Sequence, residues 1–101
     1  MIEDANFEEV IKNVSEITDL QEASIRNILE FDADYRICER LQITHADLDC
    51  VFSGEANYNV ASLFNLTQAD LDNLMTGHGK SIVLGMVLGK LINDSQNSAN
   101  K

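Results

Sequence analysis

The residues of this chain with the greatest chemical reach are carboxylates that come in pairs. Asp47 and Asp49 stand two apart, and so do Asp70 and Asp72, each pair inside the same run Ala-Asp-Leu-Asp. Paired carboxylates can trade protons in catalysis or imitate the phosphates of nucleic acid. Proton transfer near neutral pH requires burial or close repulsion to move a pKa, and a solvated helix face supplies little of either. His45 and His78 have no nucleophile nearby in the sequence. Cys38 and Cys50 form no Cys-x-x-Cys pair and have no clustered histidines, which predicts reduced thiols, no metal site and no disulfide framework. The expectation is a protein without enzymatic activity and without a cofactor.

A second chemical pattern fails on inspection. Thr76-Gly77-His78-Gly79-Lys80-Ser81, followed by an apolar run, looks like a phosphate-binding loop. That loop needs a glycine five residues before Gly79, where Leu74 stands, and a preceding strand, where a helical pattern stands. The simpler reading makes Gly77 the stop of one helix, Gly79 a hinge and Ser81 the cap of the next.

The elements that carry the carboxylates follow from an internal repeat. Residues 32–54 align with 55–77 without a gap: Ala33/Ala56, Tyr35/Tyr58, Thr44/Thr67, the run 46–49 against 69–72, and Gly54/Gly77 are identical. Ile37/Val60, Leu41/Phe64, Ile43/Leu66, Val51/Leu74 and Phe52/Met75 conserve apolar character. A fainter copy over 9–31 places Val14, Leu20, Ala23, Ile25, Ile28 and Leu29 on the same apolar positions. Each strong copy splits into two short helices. Ile37, Cys38 and Leu41, then Val60, Ala61, Leu63 and Phe64, keep helical spacing until Gln42 and Asn65, where the chain must turn. Thr44 and Thr67 then suit an N-cap, with Asp47 and Asp70 reinforcing the positive helix start. Proline is absent and no strand-length alternation occurs, so the fold class is all-α.

On Val60-Ala61, Phe64, Asn65, Leu66, Thr67-Gln68, Leu71 and Leu74, the second copy resembles the helix-turn-helix of phage-repressor-type transcription regulators. Ile37-Cys38, Leu41, Gln42, Ile43, Thr44, Leu48 and Val51 are similar. The resemblance implies two steeply crossing helices per copy and, for activity, a second helix that enters the DNA major groove. Two features depart from it: the unit occurs twice in tandem, and the presumed reading face carries Asp47, Asp49, Asp70 and Asp72.

Charge weighs on the same question. Of 101 residues, 7 are Lys or Arg and 17 are Asp or Glu, for a net charge of −10. Residues 1–77 hold four basic side chains (Lys12, Arg26, Arg36, Arg40) against 16 acids, whereas 78–101 hold Lys80, Lys90 and Lys101 against Asp94. Specific DNA binding commonly neutralises on the order of 6–10 phosphates. Gln68 and Asn73 could read adenine, and Arg36 and Arg40 could touch phosphate, but the field opposes approach. The expected partner is another protein with a basic surface, met by His45, Asp47, Asp49, Gln68, Asp70, Asp72 and Asn73. A phage- or plasmid-type inhibitor that mimics nucleic acid, or blocks a nucleic-acid-binding protein, fits this reading. A homodimeric helix-turn-helix DNA-binding regulator is the alternative.

The helix expected over 81–93 is apolar all round, with Gly85 and Gly89 on one face. Such a helix is buried on most sides, and its glycines allow close approach either of another helix in the domain or of a second copy in a homodimer. One helical domain over 1–93 and a polar, disordered tail over 94–101 complete the expectation. With no secretory signal and no run of about 20 apolar residues, a cytoplasmic, non-membrane protein is expected.

Overall fold

The computed structural model describes residues 2–99 and places side chains over 6–97. Among the described residues the architecture is all-α: α1 (Ile2–Thr18), α2 (Glu22–Leu29), α3 (Tyr35–Leu41), α4 (His45–Phe52), α5 (Tyr58–Leu63), α6 (Gln68–His78) and α7 (Lys80–Ala99). The first six helices run as pairs joined by short corners, and their backbone repeats with the 23-residue period of the sequence. Asp19, Gln42 and Asn65 take the left-handed conformation at φ 60°, 62° and 60°. One residue in that region ends a helix and turns the chain, which asparagine and aspartate tolerate better than most side chains; Gln42 takes the conformation without that advantage. Behind the last two corners, Ile43 N donates to Cys38 O at 3.0 Å and Leu66 N to Ala61 O at 2.9 Å, closing each preceding helix.

Each corner leads into an extended N-cap. Thr44 and Thr67 accept from the N–H groups of Asp47 and Asp70 at 3.1 Å each, and the aspartate side chains accept in return from the Thr44 and Thr67 N–H groups. This reciprocal pair satisfies two helix-start donors, and losing its capping side chain costs about 1 kcal/mol. The corresponding cap of α2, Gln21, makes no side-chain hydrogen bond. A second positive-φ position recurs after the pairs, as Phe31 at 62° and Gly54 at 102°. The bonds around it recur too: Asp32 N donates to Asn27 O and Glu55 N to Cys50 O.

The core collects matching positions from each pair. Val14, Ile37 and Val60 come from the first helices and Ile25, Leu48 and Leu71 from the second, and all six are buried. Each such aliphatic side chain contributes roughly 1.5–3 kcal/mol relative to leaving it in water. Helix α7 lies against α1, α4 and α6, and presents Val83, Val87 and Leu91, spaced i, i+4, i+8, to that core. Phe31 packs edge-on to Phe52, with ring centroids 5.6 Å apart, and the Lys80 ammonium sits 4.5 Å from the Phe31 centroid.

Three expectations about boundaries are corrected. Helix α6 continues through Gly77 and ends at His78, with Gly79 at φ 69° as the break. Helix α7 begins at Lys80, so Ser81 is its second residue rather than its cap. The helix also runs past Asn93 to Ala99, where a disordered tail was expected. No glycine or proline comes after Gly89, and Lys90 pairs with Asp94 at 3.3 Å across one turn, so nothing stops the helix at residue 93. Asn100 and Lys101 lie outside the described residues.

Candidate protein-docking surface

The four repeated aspartates separate into two kinds. Asp47 is 9 % exposed. Besides closing the α4 capping box it accepts from Asn57 Nδ2 at 3.2 Å and Asn59 Nδ2 at 3.1 Å, both from the following copy. Burial pushes its pKa up, but hydrogen bonds from the Thr44 backbone, Asn59, the Thr44 side chain and Asn57 outweigh that and hold the carboxyl below the ordinary aspartate value. The expected docking role of Asp47 is therefore not what its surroundings offer: its oxygens are taken up in joining two helix pairs. Asp49, Asp70 and Asp72 are exposed, and among the described residues no ion pair involves them.

His45 and Gln68, the first residues of α4 and α6, share a task. His45 Nε2 lies 3.1 Å from Ala33 O, and Gln68 Nε2 donates to Ala56 O at 3.3 Å, so each ties the start of the second helix to the loop ahead of the first. The His45 ring also stacks on Tyr35, with centroids 4.5 Å apart and planes inclined by 24°. Asn73 is exposed on α6, one residue beyond Asp72.

Gly85 and Gly89 are exposed, and a Cβ added at either would meet nothing within 4 Å. The expected close approach of another helix of the same chain is absent at both. Helix α7 turns its Val83 side inward and its glycine side out, a choice that an all-round apolar pattern leaves undetermined.

Sequence reasoning passes over Tyr35 and Tyr58, among the described residues the most exposed of the large apolar side chains at 75 % and 68 %. They occupy the same register, at the first residue of α3 and of α5. The signal lies in their identity across the two copies. Thr44/Thr67 match because both cap, Asp47/Asp70 because both close the capping box, and Leu48/Leu71 because both are fully buried. Asp49/Asp72 match without such a structural reason, and Tyr35/Tyr58 without one common to both copies, since Tyr35 stacks on His45 where the second copy has Gln68.

The cations are largely committed elsewhere. Arg26 grips Glu8 with both terminal nitrogens at 2.7 and 2.8 Å, and Arg40 donates to Thr18 O at 2.9 Å. Lys80 covers Phe31, and Lys90 pairs with Asp94. Cys38 is buried beside Asp34 and Asp47; burial, then repulsion from those carboxylates, pushes its thiol up to about 11. That thiol stays protonated and inert near neutral pH. Among the described residues no group of three or more His, Cys, Asp or Glu side chains is placed to hold a metal ion, and no helix is long and apolar enough to cross a membrane. Compared with protein-family models, characterised proteins and solved structures, the chain matches none.

Proposed function

We propose that this chain is a non-enzymatic regulatory protein that docks on a basic surface of another protein through the exposed side of α4 and α6. Its action is that of an inhibitor, covering a nucleic-acid-binding partner or taking the place of its nucleic acid. One observation carries the reading: Asp49, Asp70 and Asp72 stand exposed and, among the described residues, without a cation partner, while Arg26, Arg40, Lys80 and Lys90 are engaged elsewhere. Unneutralised carboxylates on a chain of net charge −10 speed encounter with positive surfaces and oppose approach to phosphate. Aspartates on the face that would lie in a major groove count against the DNA-binding alternative.

The test immobilises the full chain and the D49N/D72N variant, passes host-cell extract over both, and elutes with increasing salt. Wild type retains basic proteins that salt releases, and the variant retains markedly less of them. Equal retention by the two, or elution indifferent to salt, overturns the proposal.

A further inference from the structure

We infer that Tyr35 and Tyr58 anchor two equivalent arginine-binding sites, each pairing an exposed tyrosine ring with the aspartate one turn along the neighbouring helix, Asp49 or Asp72. The inference rests on the docking function proposed above and adds the chemistry of the partner, a protein segment that presents arginines to both sites.

In the first copy Tyr35 stacks on His45, and Asp49 lies four residues beyond His45, on the same face of α4. Ring and carboxylate therefore share one side of the molecule. In the second copy Gln68 holds Ala56 O as His45 holds Ala33 O, Asp72 lies four residues beyond Gln68, and Gln68 and Asp72 line one shallow cleft with Glu55. Tyr58 stands two residues after Ala56, as Tyr35 does after Ala33. A tyrosine at 68–75 % exposure gains little from folding, so its presence at the same register twice calls for a use outside the chain. The face of a phenol ring attracts a cation, and a carboxylate beside it accepts from that cation's N–H groups. Guanidinium satisfies both at once, because it is planar enough to stack and forked enough to bond a carboxylate through two nitrogens, whereas ammonium is a compact point charge. His45 already covers one face of the Tyr35 ring, where the second copy has Gln68, so the first site offers a cation less free ring than the second.

Calorimetric titration of the full chain with oligo-arginine and oligo-lysine peptides of equal length tests this. The arginine peptide binds more tightly. Tyr58→Leu weakens it about fivefold, Tyr35→Leu by less, the double variant by about the product, and Tyr→Phe at either position leaves it near wild type. Circular dichroism checks that each variant stays folded. If both peptides bind equally and the leucine variants match wild type while D49N/D72N weakens binding, the arginine sites are refuted and the acidic docking surface stands. Failure of both peptides to bind at low salt overturns both.

Discussion

Residues 32–54 and 55–77 contain the same run, Ala-Asp-Leu-Asp, in the same place in the same pair of helices, yet its first aspartate has opposite fates. Asp47 is buried and bonded to Asn57 and Asn59; Asp70 is exposed and, among the described residues, bonded only within its own cap. The difference lies in the neighbour that each copy meets next along the chain. After the first comes another helix pair whose asparagines reach back; after the second comes α7, which packs through Val83, Val87 and Leu91. In a stack of similar units, an inner copy uses a residue for cohesion that the last copy turns to solvent.

The sharpest way to break that comparison is to remove the two carboxylates in turn. Asp47→Ala strips the capping box and leaves two asparagine amides short of an acceptor, at an expected loss of about 2–3 kcal/mol in urea unfolding. Asp70→Ala keeps the Thr67 cap and loses only the returning half of the capping box, about 0.5–1 kcal/mol. Equal losses would erase the distinction. Acid refines it. Because the folded-state pKa values of Asp34 and Asp47 are lowered, the stability they add is present above the ordinary aspartate value of about 3.9 and disappears as pH falls through their lower folded values. Asp47→Asn therefore flattens the acid limb of the stability profile, and a profile unchanged from wild type would contradict the assignment.

The aligned glycines make a finer test, with opposite signs. Gly54 holds φ 102°, where a side chain is strained although space is open, so Gly54→Ala destabilises by about 1 kcal/mol. Gly77 lies inside the last turn of α6 with nothing near its Cβ position, so Gly77→Ala stabilises by about 0.5 kcal/mol. Thermal unfolding of both variants measures the pair, and a common sign would mean the copies end alike.

What the sequence made legible was local. The left-handed corner at Asn65, the caps Thr44 and Thr67 and the burial of Leu48 and Leu71 follow from a residue and its near neighbours, whereas the turn at Gln42 follows from its register with Asn65. The inward turn of Asp47 was hidden because its partners come from the next copy, a contact that periodicity does not encode. Helix α7 offered apolar residues on every side, so nothing local chose the face bearing Val83 over the one bearing Gly85 and Gly89. The extension to Ala99 was missed for a related reason: polarity suggests disorder, yet no residue there breaks the helix. Of the proposed docking surface, the exposed acids were legible, whereas the tyrosines looked like ordinary members of the repeat.

The claim that the exposed side of α4 and α6 serves proteins and not nucleic acid faces its most direct trial in repeated selection of random-sequence duplex DNA by the full chain at physiological salt. The account predicts that no sequence is enriched over the starting pool, because the exposed carboxylates of Asp49, Asp70 and Asp72 oppose approach to phosphate. Enrichment of one sequence, lost on substituting Gln68 and Asn73, would contradict it and make the chain a DNA reader.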